Sequence, residues 1–146
     1  MPKYEVYVDG SFNQETKLYG AGVVVLENGV LSVQNGFEGS DPLFVKHRNV
    51  AGEVYATQIA LAYCKQQMEL NKTPASEMDV TVYHDYAGIE CWPAGRWRAQ
   101  NTMTIQYKQF VTGLPFKVKF SKVKAHTGNT YNEMADQWAK RSIGLI

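Results

Sequence analysis

The amino-acid sequence predicts an α/β fold, a five-stranded mixed sheet in the order 3-2-1-4-5 with helices on both faces. Two observations carry this reading. Three strand-like runs open the chain, and the second and third are joined by Asn28-Gly29, a two-residue hairpin signal, so the three form an antiparallel meander. A long helix-compatible stretch then leads to a fourth strand, and a strand–helix–strand crossover is right-handed, which returns that strand parallel beside the first. The resulting element order is β-β-β-α-β-α-β-α.

Each element has a local reason. The first strand is Tyr4-Glu5-Val6-Tyr7-Val8-Asp9, rich in β-branched and aromatic residues. Residues 19–27 read as the second strand and residues 30–36 as the third. Gly39-Ser40-Asp41-Pro42 marks the loop that follows, after which residues 50 to about 72 hold only residues that tolerate a helix, Gly52 apart. Asn49 is the expected N-cap of this helix, and Thr73-Pro74-Ala75-Ser76 its stop. Val80-Thr81-Val82-Tyr83-His84-Asp85 is the fourth strand. Residues 86–92 suit a short helix stopped by Pro93, and residues 101–112 suit another. Phe116, Val118 and Phe120, alternating with Lys117 and Lys119, make the fifth strand. The closing helix is announced by a capping box, Thr130-x-x-Glu133, and by an apolar stripe of Tyr131, Met134, Ala135, Trp138 and Ala139, with Asn132, Glu133, Asp136 and Lys140 on another face.

At 146 residues the chain is read as one domain, residues 1–146, with no internal linker or repeat. The apolar share of 45% and charged share of 20% are ordinary for a globular protein and argue against disorder. A net charge of +1 excludes a polybasic arm, so any affinity for nucleic acid has to come from a local patch and from cations bridging to phosphate. Cys64 and Cys91 match neither a zinc-site spacing nor a disulfide framework, and the longest apolar run is far short of a membrane span. The expectation is a cytoplasmic, soluble chain.

Four acidic residues stand out. Asp9 and Asp85 close two strands that the crossover makes parallel neighbours, so both carboxylates are expected at one sheet edge, where open α/β sheets build their sites. Glu53 falls in the first turns of the long helix, and Asp136 leaves the apolar stripe of the last. An acidic residue at a strand end is, taken singly, usually a solvated turn residue. Four oxygen donors in this arrangement instead suit hard divalent cations.

With these pieces in view, the chain resembles the type 1 ribonuclease H family nearly end to end. The motifs are Tyr7-Val8-Asp9-Gly10-Ser11 with Tyr19-Gly20-Ala21-Gly22, Arg48-Asn49-x-x-x-Glu53, His84-Asp85-Tyr86, and Val123-Lys124-Ala125-His126-Thr127-Gly128 leading to Asn132-Glu133-x-x-Asp136. The likeness is closest to a Gram-positive-type branch in which Asp85-Tyr86-x-Gly88-Ile89-Glu90-x-Trp92 precedes Gly95-x-Trp97. Tyr86 stands where many relatives carry serine.

The resemblance implies a ribonuclease H-like fold and cleavage of the RNA strand of an RNA–DNA hybrid, leaving 5′-phosphate and 3′-hydroxyl ends. It implies two Mg2+ ions, with Mn2+ a possible substitute, roughly 3.5–4 Å apart and held by Asp9, Glu53, Asp85 and Asp136. His126 is implied to move protons around the attacking water or the departing product. Substrate-binding positions follow at Gly10, Ser11, Asn13, Arg48, Asn49, Trp92, Arg96 and Trp97, and Asn49 is the expected reader of 2′-hydroxyls in the minor groove. From its residues, Arg96-Trp97-Arg98 suits a grip on the DNA strand and equally an exposed basic turn with a half-buried tryptophan. The span between Asp85 and His126 leaves little room for the extra basic helix and loop of some relatives. Lys117, Lys119, Lys122 and Lys124 read as the solvated face of the fifth strand. The chain is expected to act as a monomer. Two other readings stand beside this one: a nuclease of the same fold acting on DNA junctions or in transposition, and a non-catalytic hybrid-binding module.

Overall fold

The structure is a computed structural model, which describes residues 2–123 and 130–146. Strands β1 (Lys3–Asn13), β2 (Leu18–Glu27) and β3 (Val30–Gly39) form the meander, and helix α1 (Asn49–Leu70) crosses to β4 (Asp79–His84). Helices α2 (Gly88–Ala94) and α3 (Thr102–Thr112) precede β5 (Val118–Lys122), and α4 (Thr130–Ser142) closes the order. The sheet order is β3-β2-β1-β4-β5, with β1 antiparallel to β2 and parallel to β4. This is the predicted topology.

Alternation along the strands divides the core between two faces. Val6 and Val8 of β1, Val23 and Val25 of β2, and Val80 and Val82 of β4 point toward α1, α2 and α3. Tyr7, Val24 and Leu26 point the other way, against Ala135, Met134 and Trp138 of α4. The predicted stripe of α4 is thus the buried one. Close approach needs glycine here: a Cβ on Gly22 would overlap the Ala135 carbonyl, so β2 admits the α4 backbone only because that side chain is missing.

Several boundaries differ from the sequence reading, each for a physical reason. β1 runs on to Asn13 because β2 keeps pairing with it out to Asn13↔Leu18, whereas its pairing with β4 ends at Tyr7↔Tyr83. Asp9 therefore lies inside a strand, just beyond the parallel pair. β3 extends to Gly39, opposite Tyr19. The Asn28-Gly29 hairpin is as read, with both residues at positive φ, 51° and 83°, as a type I′ turn requires. Asn49 is the first helical residue of α1 rather than its cap; the cap position is Arg48, at φ 55° and with no side-chain cap hydrogen bond.

Pro93 does not stop α2 but sits within it, and Gly95 at φ 80° ends it. The missing amide of Pro93 leaves the Ile89 carbonyl, four residues back, without its helical donor. The buried Tyr107 hydroxyl of α3 supplies the replacement at 2.6 Å. α3 opens with a capping box in which Asn101 accepts from the Thr104 amide. β5 begins two residues later than read. Thr130 is the first helical residue of α4 rather than its cap, and the cap position lies outside the described residues.

Candidate active site

The parallel pairing of β1 with β4 decides the geometry. Carrying that register two residues beyond Tyr7↔Tyr83 sets Asp9 and Asp85 abreast at the sheet edge. They line one pocket of about 140 Å³ together with Gly10, Asn49, Asn132, Glu133 and Asp136. Larger hollows, of about 750 Å³ between α2, α3 and β5 and about 640 Å³ beside residues 95–99, have no comparable set of acidic side chains. Chemistry, rather than size, singles out the small pocket.

Glu53 stands behind it. α1 reaches the sheet through a glycine contact: a Cβ on Gly10 would lie 2.0 Å from the Asn49 carbonyl oxygen and 2.4 Å from the Glu53 nitrogen. Glu53 is only 3% exposed, and its Oε2 accepts from the amides of Asp85 at 2.8 Å and Tyr86 at 3.2 Å. Burial pushes its carboxyl up to about 8, those two amides pull it back, and the Asp9 carboxylate adds to the rise. Asp9 is pushed up to about 7, first by burial and then, against an opposing hydrogen bond from the Gly10 amide, by the neighbouring carboxyl of Asp136. Asp136 is held on its outer side by Lys140 at 3.1 Å.

The donor set fits a hard divalent cation: oxygen donors only, with two carboxyls whose proton affinity is raised first by burial and then by neighbouring negative charge, both of which a dication would offset. Among the described residues no three acidic, histidine or cysteine side chains are gathered tightly enough to hold an ion as they stand. Oε2 of Glu53 is engaged by two backbone amides.

The residues assigned to substrate divide into three groups. Gly10 and Asn49 line the pocket; Arg48, next to Asn49 in the chain, is not among its lining residues, and its guanidinium lies 6.0 Å over the Phe12 ring. Ser11 is buried beside them. Asn13 is not brought to the pocket: it donates to the Ile143 carbonyl and accepts from the amides of Glu15 and Thr16, so it ties a turn to the end of α4. Trp92 is a core residue, edge-on to Trp97 and Tyr107, whereas Trp97 is 39% exposed. Arg96, 58% exposed, pairs with Glu90 at 2.8 Å. Trp97 and Arg98 join it along the 640 Å³ groove, whose far wall includes Lys108.

His126 and Lys124 lie outside the described residues. The sequence puts Asn132 and Glu133 on the face of α4 that carries Asp136 but gives Asn132 no site role and Glu133 mainly a capping one, and both line the pocket. Their three- and four-residue spacing to Asp136 was the available signal, since such residues share a helix face.

Fold and site together define a hydrolytic nuclease of the α/β class. The RNase H family model matches residues 1–143, and the chain belongs to the RNase H family. A ribonuclease H of Caldanaerobacter subterraneus subsp. tengcongensis is 23% identical over 144 residues, covering 95% of this chain and 90% of that protein. The RNase H1 of the halophilic archaeon Halobacterium salinarum NRC-1 superposes with a TM-score of 0.70 at 16% identity, over 97% of this chain and 98% of that one. LC11-RNase H1 from compost, solved in complex with an RNA/DNA hybrid, gives 0.66 at 14% identity, over 96% and 99%. These two likenesses establish the fold. Among the described residues no helix is long and apolar enough to cross a membrane.

Proposed function

We propose that this chain hydrolyses the RNA strand of RNA–DNA hybrids, leaving 5′-phosphate and 3′-hydroxyl ends. The observation that carries the reading is the convergence of Asp9, Asp85 and Asp136 on one pocket with Glu53 directly behind it. Asp9, Glu53, Asp85 and Asp136 would hold two Mg2+ ions, which when bound supply water activation and charge neutralisation at the scissile phosphate. Asp9 is the central member, with Asp136 beside it and Asp85 abreast across the parallel register. Lys140 keeps Asp136 turned to its place, and the Asp85 and Tyr86 amides fix Glu53.

His126 is assigned the proton transfers by family likeness. Asn49, exposed at the pocket wall as the first helical residue of α1, is assigned the 2′-hydroxyl edge of the minor groove by family likeness, and its position in the pocket lining supports that role. Trp97 and Arg98, with Arg96 once it exchanges Glu90 for phosphate, grip the DNA strand. The reading extends to one catalytic domain acting as a cytoplasmic monomer.

End-labelled RNA–DNA hybrid, RNA duplex, DNA duplex and a four-way DNA junction, each with and without Mg2+, test this. Cleavage restricted to the RNA strand of the hybrid and dependent on Mg2+ is expected. Cutting of the junction or the DNA duplex at a comparable rate would transfer the chain to the DNA nucleases of this fold, and absence of any cutting would make it a binding module.

A further inference from the structure

We propose that His84 is a positioning residue, whose imidazole fixes the turn that carries the Asp85 and Tyr86 amides and thereby orients Glu53 and Asp85. The inference rests on the hybrid-cleaving reading only for its catalytic consequence. It starts from a broken pattern. The inward positions of β4 are Val80, Val82 and His84, all fully buried, so an imidazole occupies a site where the strand alternation calls for a third aliphatic side chain. Leaving water costs an imidazole free energy that a valine would not lose, and such a residue has to be held by hydrogen bonds.

The bonds that hold it lead to the active site. Nδ1 lies 3.0 Å from the Tyr86 carbonyl oxygen, and since a carbonyl only accepts, Nδ1 carries the proton. The ring meets Phe120 of β5 edge-on at 5.9 Å, and the His84 carbonyl accepts from the Val123 amide at 2.8 Å. Nε2 has no hydrogen-bond partner among the described residues; the nearest Glu90 oxygen lies 3.7 Å away, and Glu90 instead holds Arg96, so Nδ1 carries the ring's hydrogen bond. The bond to the Tyr86 carbonyl therefore closes a short loop over Asp85. Inside that loop sit the two amides that grip Glu53. The Tyr86 carbonyl also accepts from the Ile89 amide at 3.2 Å, a bond within the turn that opens α2. The imidazole adds the tie back to β4; without it the carbonyl keeps only that longer local bond, and the amides that hold Glu53 are less firmly presented toward α1.

Asparagine and glutamine separate this role from simple core filling. His84→Asn places an amide N–H near the position of Nδ1, His84→Gln places it near Nε2, and His84→Leu fills the space with no donor. The first readout needs no metal and no substrate: amide hydrogen exchange of Asp85 and Tyr86 in the metal-free protein. Loss of one buried hydrogen bond in His84→Leu should speed both by about 10-fold, with the amides of Val80 and Val82 unchanged. His84→Asn should restore slow exchange, and His84→Gln should not.

In cleavage of hybrid, His84→Leu and His84→Gln should raise the Mg2+ concentration needed for half-maximal rate and lower kcat. Their hybrid Kd, measured in Ca2+, should match that of the wild type. If His84→Leu does not fold, the Asn and Gln pair decides alone. Equal exchange at Asp85 and Tyr86 in those two variants, or unchanged exchange in His84→Leu, would overturn the proposal. Failure of the hybrid-cleaving reading would instead show as an inactive wild type, with the exchange pattern still readable.

Discussion

A carboxylate shielded from water is tolerated only for a reason, and Glu53 is buried and Asp9 half-buried beside further negative charge. Asp9→Asn should therefore divide function from stability. Hybrid cleavage should fall by more than the about 100-fold that loss of a mere supporting partner costs at a metal site. The metal-free variant should nevertheless melt higher, by about 1 kcal/mol or a few degrees, because a crowded charge is gone. Added Mg2+ should raise the melting temperature of the wild type and leave the variant unmoved, as scanning calorimetry would show. Tyr107→Phe makes the opposite demonstration: it strands the Ile89 carbonyl and should cost about 1–3 kcal/mol in urea unfolding, with the carboxylate pocket untouched. The carboxylates were readable in the chain because strand ends and helix faces follow from pattern. Tyr107 was not, since Pro93 reads as a stop and nothing local shows a hydroxyl arriving from α3 to replace its amide.

At the scale of elements, α1 matters more for where it lies than for what it buries. Its backbone touches β1 at Gly10, and Gly52 lies within contact of both Gly10 and the Gly20 carbonyl. Gly10→Ala would put a methyl group into the α1 backbone, which cannot give way like a side chain. The expected cost is about 1–3 kcal/mol in thermal unfolding, and the helix must lift, carrying Glu53 off the amides of Asp85 and Tyr86. Loss of Mg2+-dependent cleavage out of proportion to the loss of stability would be the sign of that shift. The extent of α1 was legible from composition, but its start was not: Asn49 has the chemistry of a cap, yet Arg48 takes the position at positive φ and Asn49 is left free to face the pocket. Similarly, the run ending in Asp9 looked finished because Gly10 and Ser11 follow it, while β2 goes on pairing with β1 to Asn13, well past the last β4 pair at Tyr7.

For the molecule as a whole, the alkaline limit of stability follows from its core. Burial, then the nearby Glu27 charge, pushes the Cys64 thiol up to about 12 from 9.0, and burial foremost raises Tyr4 and Tyr107 above the usual 10.0. The folded chain thus holds these protons more tightly than the unfolded one. Their contribution is complete below pH 9 and is lost as pH climbs from 9 toward 12. Melting temperature followed by circular dichroism should fall across that window, and Cys64→Ala should flatten the early part of the fall. The sheet order was legible because one rule of handedness and one hairpin determine it. That same order constrains refolding. β1, β2 and β3 close only short loops, whereas β4 has to return across all of α1 and α4 docks from still farther along the chain, so the meander is expected to acquire amide protection first. Asp9 belongs to the early part, and its partners Asp85 and Asp136 arrive with the late one. In a stopped-flow experiment, cation binding should lag behind strand protection, and a chain caught halfway would hold a nearly complete meander with no place for an ion.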